Sequence, residues 1–244
     1  MKEIMRQNYL RWARGCPLNL SVLGSIGLSV VLVGALFGES DTGGQSKKKA
    51  SGDSIGTHGA KRGVQLFSDT FERAELGDEW IEHFKEVSIK DGVLVVHQVP
   101  DHHPAIARHK MDLGNAIFEF DMRFVAKATR GLLVVNGDEH VFHVSFRETA
   151  KVIDVSLKDY YNPENTVDVK VPVSKANAWH AITLVLVDDQ LEAIVDGHSV
   201  VTLKSPGLAG KKTLFQLNGV GQHMEYDNVD VWSVAPLKDR KLNQ

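Results

Sequence analysis

Glu119, Asp121 and Arg123 form the pattern in this sequence that comes nearest to a catalytic arrangement. They alternate with Phe120 and Met122, so a strand would place all three charged side chains on one face. Two carboxylates at i and i+2 on a strand lie roughly 6.7 Å apart at Cα. Arg123 is expected to keep them ionised, which suits hydrogen bonding to hydroxyl groups better than proton donation. We take Glu119 and Asp121 as catalytic candidates and Arg123 as a binding candidate; the alternative is a solvated face with Glu–Arg pairing.

The same alternation of polar and apolar residues continues in the two segments that follow. Their polar members are His143, Ser145, Arg147, Asp154, Ser156 and Lys158. If these segments pair side by side with the first, their polar side chains extend the surface of Glu119 and Arg123 into one shared hydrophilic floor. We predict this floor as a ligand surface, with His143 as a catalytic candidate and Arg147 as a binding candidate. The alternative is the ordinary solvated side of a sheet.

Histidines also gather around two predicted turns. A metal site would need three imidazole or carboxylate groups to converge. His140 and His143 lie on opposite faces of a regular strand, so joint ligation would require a bulge. We therefore predict no metal and expect these groups to act as hydrogen-bonding side chains or as a general base, or else to be plain loop residues. The further binding candidates at this rim are His103, Arg108, Asp138 and His140, beside His102.

Composition excludes several other classes of function. A single cysteine rules out an internal disulfide framework and a cysteine-rich zinc site. The formal charge of −3 argues against a nucleic-acid partner, whose phosphates are met by Lys and Arg. The sequence contains no serine nucleophile elbow, phosphate-binding loop, zinc-protease motif or dinucleotide fingerprint.

Residues 64–236 have the texture of one all-β domain. Short runs of Val, Ile, Phe and Leu are interrupted by turn signals such as Asp91-Gly92 and Asp196-Gly197 every eight to twelve residues. No stretch keeps a 3.6-residue period, so long helices are not expected. The apolar sides of the alternating strands must face a second sheet. We predict a jelly-roll sandwich of two antiparallel sheets, with separate strands near 116–125 and 131–136 and near 213–218 and 224–234.

The N-terminal 38 residues predict export. Residues 16–38 carry no charge and follow a basic head with four Lys or Arg against one Glu. Two interpretations stay open: a cleaved signal peptide, or a signal-anchor helix that holds the chain in the inner membrane through residues 18–37. Both place the rest of the chain in the periplasm, the cell envelope or the extracellular space. Residues 39–63, rich in Gly and Ser, predict a flexible linker, and residues 237–244 a polar tail.

Several motifs resemble a known family. Leu66–Arg73 (LFSDTFER), Gly77–Trp80 (GDEW) and Asp91–Leu94 (DGVL) resemble the opening of concanavalin A-like lectin/glucanase domains. More narrowly, they are similar to the 3-keto-disaccharide hydrolase-type domains of secreted bacterial proteins. Tyr226–Val231 (YDNVDV) resembles the close of such domains, so the resemblance covers about residues 64–234. These motifs consist mostly of turns and core positions, which indicate a fold more strongly than a chemistry.

The resemblance implies glycoside cleavage on a concave sheet. Laminarinase-type glucanases of this superfold carry a Glu-x-Asp-x-Glu strand whose outer glutamates are nucleophile and acid/base. Arg123 stands here at the third of these positions, so the second glutamate of that mechanism is missing.

We therefore expect an exported carbohydrate-active domain that binds a glycoside on the concave face of a jelly roll. If it is an enzyme, the resemblance implies a glycoside hydrolase of the 3-keto-glycoside type. The alternative is a non-enzymatic envelope adhesion or scaffolding module of the same fold. The expected partners are a carbohydrate and, if the N-terminal helix is not cleaved, a membrane. No cofactor is expected; a third interpretation is a lectin-like domain stabilised by calcium.

Overall fold

A computed structural model describes eight stretches of the chain, namely residues 54–57, 59–82, 86–99, 103–149, 152–160, 162, 164–173 and 175–235. The predicted signal or anchor segment (1–38), most of the predicted linker, the polar tail and His102 lie outside these residues. In the part that is described, no helix is long and apolar enough to cross a membrane.

The described residues contain thirteen strands and one short 3-10 helix, joined by turns and loops. The first seven strands are β1 (Arg62–Asp69), β2 (Ile81–Glu82), β3 (Val87–Lys90), β4 (Val93–Val96), β5 (Ala105–Leu113), β6 (Ala116–Asn136) and β7 (His140–Thr149). The remainder are β8 (Val152–Asp159), β9 (Thr166–Pro172), β10 (His180–Val187), β11 (Gln190–Val195), β12 (His198–Lys204), the 3-10 helix Pro206–Ala209 and β13 (Lys212–Val234).

The strands form two antiparallel layers that share β6 and β13. Layer 1 runs β12-β11-β10, then residues 116–122 of β6, then residues 224–234 of β13, which pairs with β1 and β4 beyond it; β3 pairs with β4. Layer 2 runs β9-β8-β7, then residues 131–136 of β6, then residues 212–219 of β13, then β5 and β2.

The apolar core lies between the two layers. Phe118 of layer 1 meets Phe215 of layer 2 with ring centroids 5.8 Å apart, and Phe120 meets Phe146 at 6.4 Å. Every second residue of the strands points into this space, as the alternation of apolar side chains predicted. The all-β antiparallel sandwich expected from the sequence is confirmed.

The crossings between layers differ from the prediction. The expected separate strands at 116–125 and 131–136 are one strand, β6, and those at 213–218 and 224–234 are one strand, β13. Register shifts occur where the two strands bend together, around Val220 and Gly221. Gly131 stands opposite this bend, where a Cβ atom would lie 2.7 Å from Met224 Cε and 3.0 Å from Tyr226 Oη. The absent side chain lets the paired strands pass from one layer to the other without losing their partners.

Residues 54–57 and 59–62 lie on the outside of layer 1, and we call them the N-terminal strap. Ile55 and Ala60 form an isolated bridge, and Ala60 is buried against Ile117, Val185 and Ile194. These residues belonged to the predicted linker, yet they are packed. The composition of the strap indicated flexibility, because the strap has few apolar residues of its own. The residues that it packs against lie on strands far along the chain, so its composition does not reveal them.

Candidate functional site

The predicted hydrophilic floor is divided between the two layers. Glu119 lies in the half of β6 that pairs with β10, opposite Thr183. His143 lies on β7, which pairs with the other half of β6, opposite Val134. The prediction of one shared floor is therefore wrong, because β6 bends between these halves and presents them on different outer surfaces.

Glu119 is enclosed beneath the N-terminal strap. Its side chain is 2% exposed and accepts two hydrogen bonds from the Arg62 guanidinium, from Nε at 2.8 Å and from Nη2 at 2.5 Å. A carboxylate held by a bidentate arginine is stabilised in its ionised form. In this arrangement Glu119 serves as an ion-pair partner between strap and sheet, and it does not face an open ligand surface.

Asp121 and Arg123 are likewise engaged with neighbours on layer 1. Asp121 accepts a hydrogen bond from Asn228 Nδ2 at 2.9 Å. Arg123 forms an ion pair with Glu225, its partner across the strands, and its guanidinium lies 4.7 Å from the ring centroid of Trp179. The Glu–Arg pairing considered as an alternative thus occurs, with Glu225 rather than Glu119 as the partner.

The outer surface of layer 2 holds a second set of polar residues, which we call the layer 2 face. The strand register aligns them in rows that cross β5, β13, β6, β7 and β8. One row is Arg108, Gln216, Val134, His143 and Lys158. The next row is Ile106, Asn218, Leu132, Ser145 and Ser156.

The middle of the layer 2 face is buried although it points away from the core. Relative exposure is 3% for Leu132, 4% for Val134, His143 and Gln216, and 7% for Asn218. Arg147, nearer the margin, is exposed. The centre of the face therefore consists of covered apolar and amide side chains, and charged side chains lie nearer its margins.

The buried polar atoms of the layer 2 face that lack hydrogen-bond partners within the described part of the chain include Arg108 Nε, Asn218 Oδ1 and Asp154 Oδ1. Buried polar groups in proteins are nearly always hydrogen-bonded, since leaving one unsatisfied costs about 1–3 kcal/mol. A donor and an acceptor on adjacent rows are thus suited to a polar ligand with hydroxyl groups.

A bulge brings His140 and His143 to the same side of β7. Phe142 pairs with Val135 while His140 pairs with Asn136, so Val141 is an extra residue in the ladder. His140 Nδ1 donates to Asn136 Oδ1 at 2.6 Å. Tyr160 stacks on the His140 ring with centroids 4.6 Å apart and meets the His143 ring edge-on at 5.1 Å. The bulge that joint metal ligation by these two histidines would require is present.

His143 stays neutral over the physiological range of pH. Burial, reinforced by the positive charges of Lys158 and Arg130 and by His140, lowers the pKa of His143 to about 3. Burial, together with the positive charge of Arg108, also lowers the pKa of His140. A neutral imidazole can accept and donate one hydrogen bond each, but it is a weak base.

The other candidates lie at the ends of the layer 2 face. Asp138 is exposed in the turn between β6 and β7, and His103 precedes β5, with its Nδ1 atom 2.5 Å from the carbonyl oxygen of Pro104. Among the described residues no group of three or more His, Cys, Asp or Glu side chains is placed to hold a metal ion. The structure thus brings Arg108, His140, His143 and Arg147 to one face and leaves Glu119, Asp121 and Arg123 on the other layer.

Three residues of the layer 2 face were not among those predicted from the sequence, namely Gln216, Asn218 and Tyr160. The first two alternate with Phe215 and Leu217, which is the pattern that identified the other polar positions. The alternation was too short to stand out in the sequence, because it contains only two polar residues. Tyr160 is the first residue after β8, and its ring lies beside His140 and His143. Its position depends on the direction the chain takes after the strand, which the spacing of residues in the sequence does not predict.

Comparison with known proteins identifies the fold. No protein-family model matches the chain, and no curated protein matches its sequence. Solved structures do match. Porphyranase B from Zobellia galactanivorans superposes with a TM-score of 0.59 at 10% identity, covering 79% of this chain and 100% of that one. The chain has a concanavalin A-like jelly-roll fold.

Two further jelly rolls match over a similar extent. LamA from Zobellia galactanivorans, in complex with laminaritriose and laminaritetraose, gives a TM-score of 0.57 at 12% identity, with coverage of 70% of this chain and 100% of that one. The β-glucanase of Bacillus licheniformis gives 0.54 at 12% identity, with coverage of 70% and 98%. At these identities the likeness establishes the shared fold, and function has to be argued from the residues themselves.

Proposed function

We propose that this protein binds a carbohydrate on the layer 2 face. The observation that carries the proposal is the buried, outward-facing pair of polar positions at its centre, Gln216 and Asn218, with Arg108 beside them. A sugar presents hydroxyl groups that donate and accept hydrogen bonds, together with patches of C–H bonds. Amide and guanidinium groups suit the hydroxyls, and apolar floor residues such as Leu132 suit the C–H patches.

The fold supports the same ligand class. LamA, which has this fold, is complexed with two oligosaccharides. On the present chain Tyr160 adds an aromatic ring beside the row of His143, and aromatic rings with a polar end are suited to mixed polar and apolar ligands. We favour sugar binding over sugar cleavage that would use a pair of carboxylates. Glu119, the candidate for such a pair, is already bound to Arg62 under the strap.

The test is a glycan array followed by calorimetry with the full chain. Replacement Gln216→Ala is expected to weaken binding about three- to tenfold, the worth of one hydrogen bond. The matched control is Gln65→Ala, on the outside of layer 1, where Gln65 Nε2 donates to Asp230; it should leave affinity unchanged. An array without any binding at millimolar glycan, or equal losses in both variants, would contradict the proposal.

Hydrolysis of a 3-keto-glycoside is the finer proposal, and it rests on the sequence resemblance. A keto group at C3 acidifies the C2–H bond, so a base can remove this proton while the glycosidic C1–O bond breaks and the leaving oxygen takes up a proton. Water then adds across the C1–C2 double bond, and no second carboxylate is needed. His143 is the candidate base, although its lowered pKa makes it a weak one. Release of sugar from a 3-keto-disaccharide that disappears in His143→Gln, with binding retained, is the expected result; turnover that survives in this variant would contradict the role.

We propose that the protein is exported, and the N-terminal sequence is the basis of this proposal. The uncharged residues 16–38 behind a basic head support a signal peptide or an anchor of the inner membrane. Fractionation of cells, with N-terminal sequencing of the isolated protein, separates the two: a cleaved chain lacks these residues, and an anchored one keeps them and sediments with membranes. A cytoplasmic, uncleaved chain would contradict export. An exported protein that binds glycan without turnover would fit the adhesion module expected as the alternative.

A further inference from the structure

Asp154 supplies a buried acceptor on the β8 side of the layer 2 face. It alternates with the fully buried core residues Ile153 and Val155, so its side chain lies on the outer side of the layer. Within the part of the chain that the structure describes, its Oδ1 atom is buried and accepts no hydrogen bond. Arg147 and Lys170, opposite it on the two neighbouring strands, are both exposed. Because an unsatisfied buried carboxylate is costly, Asp154 is suited to a hydroxyl donor from outside the chain.

Arg108 and Asn218 are the corresponding groups on the other side of the face. Arg108 Nε is a buried donor on β5, and Asn218 Oδ1 is a buried acceptor on β13, the strand beside it. Neither atom has a hydrogen-bond partner among the described residues. Groups that a polar ligand could satisfy therefore lie towards both sides of the face, and a single small ligand would have to reach across several strands to meet them all.

The strand order sets the separation between Asn218 and Asp154. From β13 the face crosses β6 and β7 to reach β8, and these three strand spacings amount to about 14 Å. Ser156 shares the row of Asn218, and Asp154 lies two residues before Ser156 on β8, which adds about 7 Å along the strand. The two Cα atoms are therefore about 16 Å apart for a flat sheet of this geometry.

The positions between Asn218 and Asp154 carry no charge. Along the row of Asn218 the register places Leu132 on β6, Ser145 on β7 and Ser156 on β8. An aliphatic side chain and two hydroxyls can contact both the C–H bonds and the hydroxyl groups of sugar rings. The row that joins the amide to the carboxylate thus has the same mixed chemistry as the centre of the face.

We propose that the layer 2 face binds an oligosaccharide chain of about four units or more, laid across the strands from β5 and β13 to β8. This inference rests on the proposed carbohydrate binding and adds the length of the ligand. Each sugar unit extends such a chain by about 5 Å, close to the spacing of neighbouring strands. A disaccharide on Arg108 and Asn218 therefore ends before β8, whereas a longer chain reaches Asp154 as well.

The experiment measures affinity against chain length with the full protein. Laminari- and cello-oligosaccharides of two to six units are titrated by calorimetry, together with the matching series of any sugar that the glycan array identifies. A six-unit chain contains five overlapping pairs of units, so a site for two units would gain only about fivefold from statistics. We expect a further gain of about tenfold, the worth of one hydrogen bond to a charged group.

Two substitutions divide the face into its two ends. Asp154→Ala should weaken binding of the six-unit chain about tenfold and leave that of the disaccharide unchanged, whereas Asn218→Ala should weaken both. The matched control is Asp189→Asn, in the turn between β10 and β11 of layer 1, where Asp189 pairs with Lys204; both affinities should stay as in the parent chain. The melting temperature of Asp154→Ala should not fall, because alanine removes an acceptor that has no partner within the described residues.

The outcomes separate this inference from the proposed function. A gain with length that does not exceed the statistical one would overturn the extended ligand and leave carbohydrate binding standing. A larger gain that survives in Asp154→Ala, or a marked fall in the melting temperature of this variant, would overturn the role of Asp154 at the far end. No binding to any chain would overturn the proposed function, and this inference with it.

Discussion

His143 and His180 are both buried, but their neighbours drive their proton affinities in opposite directions. His143 is surrounded by cations, and its pKa falls to about 3. His180 Nδ1 donates to Asp196 Oδ2 at 2.9 Å, and its Nε2 lies 3.6 Å from Glu148 Oε1. The hydrogen bond to Asp196, opposed by burial and assisted by both carboxylates, raises the pKa of His180.

Acid should destabilise the protein through His143. Between pH 6.5 and about 3 the unfolded chain binds a proton at this residue that the folded chain excludes, so the free energy of unfolding falls with falling pH. In His143→Gln this part of the acid dependence should disappear, a change on the order of 3 kcal/mol between pH 7 and pH 4. Urea denaturation at pH 7 and pH 4 measures it. His97→Gln, at an exposed position, is the matched control.

His180 should contribute in the opposite range. Its raised pKa means that the folded chain binds the proton more tightly, so its stabilisation is complete below the unfolded pKa of about 6.5 and is lost as pH rises through the folded pKa. His180→Gln should therefore cost more free energy of unfolding at pH 5.5 than at pH 9. A cost that is equal at the two values would show that the Asp196 pair has no electrostatic role.

The N-terminal strap is the element whose attachment is most specific. Thr57 donates its backbone N–H to both Oε atoms of Glu192 at 3.0 Å, and Ser199 donates to the same carboxylate at 2.5 Å. Glu192 is fully buried. At the other end of the strap, Arg62 holds Glu119. Two buried carboxylates of layer 1 therefore receive hydrogen bonds from the strap.

Removal of one partner of the Arg62–Glu119 pair should be costly. Arg62→Ala leaves a buried carboxylate without its partner, which typically costs about 3–5 kcal/mol. The double change Arg62→Met with Glu119→Leu removes both charges and should recover most of that loss. The exposed Lys204–Asp189 pair offers a control, since Lys204→Ala should cost below about 1 kcal/mol. Denaturant titration measures the parent chain and the three variants, and a double variant that loses as much as Arg62→Ala would contradict the pairing.

Local sequence predicted most elements but not the pairing of distant ones. The alternation of Phe118 with Glu119 correctly placed one side chain in the core and one outside, because strand periodicity is a local property. The prediction that Glu119 and His143 share one floor was wrong, because it depended on which half of β6 pairs with β7. The strap was missed for a related reason: its partner Glu192 lies 135 residues from Thr57. Roles assigned to the site residues stay predictions.

At the scale of the whole molecule, the shared strands should make unfolding a single event. Neither layer can lose β6 or β13 without the other losing it as well, so we expect one cooperative transition. Far-ultraviolet circular dichroism and tryptophan fluorescence should give the same melting temperature. Two separated transitions would contradict this coupling.

Gly131 tests the bend that joins the layers. An added Cβ would lie 3.0 Å from Tyr226 Oη, whose side chain is fully buried and donates to the carbonyl oxygen of Asn218 at 2.7 Å. Gly131→Ala should cost about 1–3 kcal/mol, as overpacking does, and lower both melting signals together. Gly114→Ala is the matched control, because no heavy atom lies within 4 Å of its added Cβ. A neutral Gly131→Ala would contradict the tight packing.

The position of β13 has a consequence for how the protein is made. It is the last of the described strands in chain order, yet it pairs with β1, β4, β5 and β6 and lies inside both layers. Its contact with β1 joins Arg62 to Val234. Synthesis runs from the N-terminus, so the strand edges that pair with β13 stay unpaired until the final two dozen residues of this domain have been made. During that interval the growing chain exposes the surfaces that chaperones protect.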